Sequence, residues 1–444
     1  MSNHTNTFPI SSPWLAPVAV KPLDATMQIP GSKSLSNRYL ILAALGSKPV
    51  TLEGILRSRD TELMMDALTT LGVQCIIDER DSTIVTVIPP ADRKFVGNTS
   101  IYCGLAGTVM RFVPAIALYA DGPVRFDGDE QAYKRPMKPV LDGLEQLGAE
   151  VIYHGVEGFL PFTLIPPSTF DGDKNISIDS SSSSQFISGL LLAASTWNGE
   201  VTITHTGEKL PSMPHIRMTM DDISKAGGQV EYSQSLWKIP TRNVQLHSHI
   251  VVEPDLSNAA PFVCAALIAG GEVRIARWPA ESTQPGALLP QYLRLFGAQV
   301  EYDSSAHILS VHSDGIINGA GMLDLSPAGE IAPTLAAVAA LANSDTTFTG
   351  ISHLRGHETD RLKALVTEIK RFGGNAEETS DGLKISSVAR NQLHGEVMET
   401  YADHRMATFA AMIGLVVPNT YVVNIETTRK TIPDFVHMWM TMLA

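Results

Sequence analysis

The stretch Pro30-Gly31-Ser32-Lys33-Ser34-Leu35-Ser36-Asn37-Arg38 puts a rigid turn, three hydroxyls and two cations just ahead of the apolar run Tyr39 to Leu45. Pro and Gly break a strand, Ser is a favoured helix cap, and the first N–H groups of a helix have no partner within it. Such a helix start suits an anion, with Lys33 and Arg38 adding full charges to the helix dipole. The plain alternative is a capped helix whose Lys and Arg are simply solvated. It is not a Walker loop, because no glycine stands where that motif needs one.

Further clusters carry similar chemistry. Ser180 to Ser184 followed by Gln185 offers hydroxyls, an amide and backbone donors, a composition that suits a phosphate, although serine tracts are also common linkers. Gly104-Leu105-Ala106-Gly107-Thr108 lets backbone approach a ligand closely, with Arg111 one turn along. Arg135, in the loop Asp129-Glu130-Gln131-Ala132-Tyr133-Lys134-Arg135-Pro136, is of the type that clamps a carboxylate with two parallel hydrogen bonds. Glu358-Thr359-Asp360-Arg361 and Asp403-His404-Arg405 each combine acid and cation within one turn, and Lys430 follows near the C-terminus. Three such clusters point to a catalytic cleft more than to three surface patches.

The elements that position these residues recur. An alanine-rich helix, a turn and a β-rich strand appear six times, with strands starting near Val50, Val124, Val201, Val273, Thr347 and Val422, at intervals of 74, 77, 72, 74 and 75 residues. A second helix recurs, ending at Gly72, Gly148, Gly227, Gly297 and Gly373, where glycine suits a helix C-terminus; a sixth near Phe435 to Met442 closes the chain. Each unit reads as β-α-β-α-β-β. Helices as apolar as Leu190 to Ser195 and Pro333 to Leu341 must be buried beneath sheets. A solenoid is the simplest arrangement of repeats, but units of this length exceed the usual ~20–45 residues, so two globular groups of three are expected. The six alanine-rich helices start behind the clusters above, and also behind Asp255-Leu256-Ser257-Asn258 and Ala328-Gly329-Glu330. If the units pack symmetrically, their N-termini converge into one positive field.

Composition sets the outer limits. At 444 residues the chain exceeds the ~250–300 at which one core stops growing, so two domains are the default. We expect a discontinuous domain of 1–30 plus 250–444 and an inserted domain of 31–249, with one crossing in the polar segment 240–249 and the other near 22–31. A formal charge of −13 argues against nucleic acid and acidic membranes as partners, so cations for an anionic ligand must be local. Cys75, Cys103 and Cys264 show neither metal nor disulfide spacing, which fits a reducing compartment. The polar N-terminus lacks the features of a secretion signal and is expected to fray, and no apolar run reaches the ~18 residues of a membrane span. These features point to the cytoplasm.

Taken in order, PGSKSLSNR, LAGTVMR, KRP, SSQF, ETDR, YADHRMA and RKTIPDF resemble the 5-enolpyruvylshikimate-3-phosphate synthase family across essentially the whole chain, in a form similar to its actinobacterial branch. The resemblance implies an α/β fold of two domains, each of three β-α-β-α-β-β repeats with buried helices, an inside-out α/β barrel that closes over substrate. It implies transfer of the enolpyruvyl group of phosphoenolpyruvate to shikimate 3-phosphate on the route to chorismate and aromatic amino acids, by a monomer without cofactor or metal. Shikimate 3-phosphate is then expected at Lys33, Ser34, Arg38, Ser183, Ser184, Gln185, Ser212, Glu330 and His357. Phosphoenolpyruvate is expected at Lys33, Gly107, Arg135, Arg361, Arg405 and Lys430. Glu330 would be the base on the 5-hydroxyl, with Glu358 and Lys33 as proton donors or shuttles. Retention of Gly107 implies sensitivity to glyphosate.

The chain departs from the commonest family pattern at Glu330 (often Asp), His353 and His357 (often Asn and Lys), Met213 (often Lys), Leu105 and Phe112 (often Asn and Pro). Glu330 keeps a carboxylate with longer reach, and His357 would make one substrate contact titrate near neutrality. The sister enolpyruvyl transferase acting on UDP-N-acetylglucosamine starts its helix with Lys-Asn and carries a reactive cysteine in the loop that is Asp127 to Arg135 here, which has none. Cys103, upstream of that loop, reads as a buried structural thiol. A repeat protein that merely binds organic phosphates would account for the cations and serines, but not for Glu330 and Glu358 beside anion sites.

Overall fold

In a computed structural model, residues 12–444 are described except 170, 209, 211, 241, 242 and 357, and the side chain of Asp92. The expected fraying tail and His357 lie outside the described residues. The chain divides into an inserted unit, Pro30–Glu253, and a flanking unit of Pro254–Ala444 with the N-terminal segment up to Ile29.

The helices are α1 (Lys33–Leu45), α2 (Arg59–Thr70), α3 (Gly107–Ala117), α4 (Lys138–Gln146), α5 (Gln185–Ala194), α6 (Met213–Lys225), α7 (Leu256–Ala269), α8 (Leu289–Leu295), α9 (Ala332–Ala340), α10 (Arg361–Arg371), α11 (His404–Gly414) and α12 (Phe435–Leu443). The odd-numbered six are the alanine-rich helices, and they are buried almost along their whole length: every residue of α7 from Leu256 to Ile268 is inaccessible or nearly so. A helix that is apolar all round has no face to offer water, so it takes the interior. The other helices are mostly amphipathic: α10 buries Leu362, Leu365, Val366 and Ile369 and turns Lys363, Lys370 and Arg371 outward.

Among the described residues, five four-stranded sheets share one plan. A central strand (Val50–Glu53, Val124–Asp127, Val201–His205, Gly271–Ala276 or Thr346–Thr349) has one parallel neighbour, one antiparallel neighbour, and a further antiparallel strand beyond. Five of the six expected strand starts lie within these elements, and the sixth, Val422, lies in the strand Tyr421–Val422. A parallel neighbour cannot come from a tight hairpin, so in three of these sheets the repeat reaches it across a buried helix. In two sheets it comes from elsewhere in the chain. Leu23–Met27 pairs with Gly271–Ala276 in the flanking unit, in register from Leu23↔Gly271 to Met27↔Ile275. His249–Val251 pairs with Val50–Glu53 in the inserted unit. The second crossing therefore follows Glu253, a few residues beyond the polar segment where the sequence places it. The sixth repeat is abbreviated: Val397–Met398 and Tyr421–Val422 pair in parallel, and Trp14–Leu15 supplies the antiparallel strand.

Candidate active site

In the inserted unit the starts of the three buried helices are tied together by side chains. Ser32 caps α1, its hydroxyl accepting from the N–H of Leu35. Gly31 is required by packing, since a β-carbon there would sit 1.9 Å from the carbonyl oxygen of Gly54. Asn37 on α1 donates to the hydroxyl of Thr108 on α3 at 2.7 Å. Arg111 on α3 donates from Nη1 to Gln185 Oε1 at 2.7 Å and to the Ser183 hydroxyl at 3.4 Å, reaching the start of α5. The hydroxyl of Ser183 also accepts from the N–H of Gln185. Ser184 is buried at the cap position of α5, and Ser212 precedes α6 in a left-handed conformation, φ 54°.

The charge at these helix starts is positive. Arg135 donates to the carbonyl of Leu105, and a β-carbon on Gly107 would lie 2.9 Å from its Nη2 and 3.1 Å from Gln185 Oε1. Only glycine lets the guanidinium, the amide and the first turn of α3 meet so closely. Burial, and then the charge of Arg135, push the pKa of Arg111 down to about 9. Two guanidinium groups near one another, with Arg111 answered by neutral oxygens, form a place that gains from an anion. Lys33 pairs with Asp60 at 3.3 Å, with 21% of its side chain exposed.

Arg38 is tied more deeply than its neighbours. It is 2% exposed, lies over the ring of Phe112, and donates to the Thr219 hydroxyl and to the carbonyls of Ser34 and His215. Burial lowers its pKa to about 10 against the opposing pull of Asp222. Two of its donors therefore hold α1 to α6, and a third, to the Ser34 carbonyl, fixes the turn that carries Lys33 and Ser34.

In the flanking unit the corresponding region is mixed in sign. Arg361, at the start of α10, donates from Nε and Nη2 to the two oxygens of Asp403 at 2.7 and 3.3 Å, and its Nη1 lies 3.6 Å from Glu330 Oε2. Asp403 caps α11 by accepting from the N–H of Arg405. Arg405 in turn donates to the carbonyl of Ser257 on α7 at 2.8 Å. Glu358 keeps 27% of its side chain exposed although protein surrounds it closely; one oxygen takes the ammonium of Lys430, and the other is 3.2 Å from His404 Nδ1. Burial works to raise the Glu358 pKa, but the hydrogen bond with His404 and the charge of Lys430 outweigh it and hold the carboxyl well below the usual range. Burial lowers His404 despite Glu358, which favours a neutral ring donating from Nδ1. His353, whose Nε2 would lie 2.8 Å from a β-carbon on Gly329, is likewise lowered by burial against the pull of Glu330.

Glu358, Asp403 and His404 bring possible metal-ligand atoms within 4.8 Å of one another. Each carboxylate already has a cationic partner, however, so a metal would have to displace Lys430 or Arg361. The sequence-predicted residues thus fall into two sets. The inserted unit gathers Lys33, Ser34, Gly107, Arg135, Ser183, Ser184 and Gln185 around three helix starts, while the flanking unit gathers Glu330, Glu358, Arg361, Arg405 and Lys430. Sequence reasoning did not assign Asp60 and Asp403 as the partners of Lys33 and Arg361, or His404 as the partner of Glu358. For Asp403 and His404 the only signal was the charge density of Asp403-His404-Arg405.

A sequence model of the family described as EPSP synthase (3-phosphoshikimate 1-carboxyvinyltransferase) matches residues 18–439. A 3-phosphoshikimate 1-carboxyvinyltransferase of Bifidobacterium longum is 62% identical over 435 residues, covering 97% of this chain and 98% of that protein. Two solved structures of EPSP synthase from Acinetobacter baumannii superpose with a TM-score of 0.80 at 23% identity, each covering 96% of both chains, and they share the fold. On the breadth of the family match and the identity to the Bifidobacterium protein, the chain belongs to the EPSP synthase family.

Proposed function

We propose that the protein transfers the enolpyruvyl group of phosphoenolpyruvate to the 5-hydroxyl of shikimate 3-phosphate and releases phosphate. The observation that carries this reading is the Glu358 carboxylate, held ionised by Lys430 and His404 beside the buried Arg361–Asp403 pair. A pure anion-binding protein gains nothing from a carboxylate there. An enzyme that protonates an enol phosphate and then takes a proton from the resulting methyl group needs a base.

The chemistry then divides among named groups. Lys33, Arg135, Arg361, Arg405 and Lys430 offset the carboxylate and phosphate of phosphoenolpyruvate, whose full charge calls for several cations. Gly107 lets that substrate approach the start of α3. Ser34, Ser183, Ser184, Gln185 and Ser212 offer hydroxyl, amide and backbone donors to the phosphate and ring of shikimate 3-phosphate, with Arg38 and His357 assigned to the same substrate. Glu330 accepts the proton of the 5-hydroxyl as its oxygen bonds to C2 of phosphoenolpyruvate, and C3 gains a proton to become a methyl group. Loss of one methyl proton then restores the double bond as the C2–O bond to phosphate breaks. An ionised Glu358 is suited to accept that methyl proton, and Lys33 or Lys430 to donate in the first step. Glyphosate competes with phosphoenolpyruvate in this scheme.

Turnover in D2O followed by proton NMR tests the scheme. The methyl stage makes three hydrogens equivalent, so deuterium should enter the methylene group of the product. A product formed without deuterium at that carbon would exclude the addition step.

A further inference from the structure

Glu368 lies seven residues after Arg361 on α10, which puts both on one face of the helix, two turns apart. It is a buried carboxylate with a full set of partners. Oε1 accepts from the Tyr401 hydroxyl at 2.7 Å and lies 3.4 Å from Arg371 Nη1, and Oε2 accepts from the N–H of Glu399 at 3.1 Å. The segment it holds has unusual backbone geometry: Tyr401 and Ala402 are consecutive non-glycine residues in the left-handed region, φ 54° and 56°. Side chains with a β-carbon resist that conformation, so neighbouring contacts must impose it. The next residue, Asp403, is the one Arg361 grips. One face of α10 therefore clamps the segment 399–403 at both ends, with Glu368 on residues 399 and 401 and Arg361 on residue 403.

From this geometry we infer that Glu368 is a positioning residue for phosphoenolpyruvate binding, acting through the left-handed turn Tyr401–Ala402 on the placement of Asp403, His404 and Arg405. The alternative is a buried acid whose partners merely satisfy it. The two differ in what they predict for the substrates. The turn leads directly into Arg405 and onto Asp403, which holds Arg361, and both arginines are assigned to phosphoenolpyruvate; the described contacts of Glu368 include none of the residues assigned to shikimate 3-phosphate. Within the reaction, a looser turn would let the Arg361 and Arg405 guanidiniums settle away from the geometry that the anion requires.

The inference rests on the proposed reaction, and the test keeps the two apart. Tyr401→Phe removes a single hydroxyl, and Glu368→Gln keeps the side-chain volume while losing one acceptor oxygen. Both variants are compared with the wild-type chain for KM of each substrate, kcat and thermal midpoint. The expected result is a rise in the KM for phosphoenolpyruvate of about tenfold in Glu368→Gln and a smaller rise in Tyr401→Phe, with the KM for shikimate 3-phosphate unchanged. The double variant should be no worse than Glu368→Gln alone, because both changes cut the same link. A lowered thermal midpoint with both KM values unchanged, or a parallel rise in both, would overturn the positioning role. Tyr401→Phe decides the matter if Glu368→Gln does not fold. A wild-type chain inactive with these substrates would instead remove the reaction on which the inference rests.

Discussion

Arg361 and Asp403 form a nearly solvent-free ion pair: Arg361 is 2% exposed, Asp403 is fully enclosed, and Nε donates to Oδ2 at 2.7 Å. The attraction of Asp403, reinforced by Glu330, overcomes burial and raises the Arg361 pKa, so the cation is permanent. Removing one member leaves the other charge buried without its counterpart. Asp403→Asn should lower the unfolding free energy of the flanking unit by about 3 kcal/mol, read from the urea midpoint, and weaken phosphoenolpyruvate binding with it. An unchanged midpoint would mean that the pair is held together by its surroundings and contributes little itself.

Gly107 predicts a steric effect on substrate geometry. A methyl group there must push against the Arg135 guanidinium and the Gln185 amide, both near 3 Å from the added carbon. Because the opposing atoms end flexible side chains, the fold should absorb the change while the guanidinium shifts. Gly107→Ala is expected to raise the KM for phosphoenolpyruvate by about tenfold and leave the thermal midpoint nearly unchanged. Steady-state kinetics beside a melting curve would check both halves.

Lys33 is the one group assigned to both substrates and to proton transfer. Its ion pair with Asp60 is partly solvated, so its loss should cost only about 1 kcal/mol of stability. The chemical loss should be far larger, with Lys33→Met reducing kcat by about 10³-fold or more. Retained turnover in a folded variant would take Lys33 out of the mechanism.

Asp222 carries the pH dependence. Among the described residues neither of its oxygens has a hydrogen-bond partner of ordinary geometry, the Tyr39 hydroxyl being the nearby donor, and burial raises its pKa to about 7 although Arg38 and Lys225 pull the other way. A carboxyl whose folded pKa lies above its unfolded value, near 3.8, binds its proton more tightly in the native state. Its contribution is therefore complete below about pH 4 and is lost as pH rises through about 7. Asp222→Asn, an imitation of the protonated form, should be nearly neutral only below about pH 4, already stabilising at pH 5, where the unfolded carboxyl has ionised, and more strongly stabilising at pH 8. The whole swing is at most about 4 kcal/mol. Urea unfolding at the two pH values reads the difference, and equal effects at both would show that Asp222 stays ionised.

Much of this architecture is legible in the residues because its signals are local. The apolar helices and their capping clusters lie within short windows, and the strand starts recur at a nearly constant interval. Pairings between distant segments are not local. Nothing near His249 indicates that its strand joins Val50–Glu53, and nothing near Leu23 indicates that its strand joins Gly271–Ala276. The candidate site divides similarly. Lys33, Arg135, Glu358 and Arg361 stand out by composition, but the acids that orient two of them come from 27 and 42 residues away, as Asp60 and Asp403. Arg38 reads as a ligand cation from its place in the motif, yet several of its donors are taken by protein because α6 packs over α1. Glu368 looks like an ordinary helix-surface acid until the turn at Tyr401 folds onto it.

Phosphate release from phosphoenolpyruvate, measured with shikimate 3-phosphate or with UDP-N-acetylglucosamine as the acceptor, tests the central claim most directly. Release should require shikimate 3-phosphate and should stay at background with the nucleotide sugar. Release with the nucleotide sugar, or with neither acceptor, would contradict the assignment.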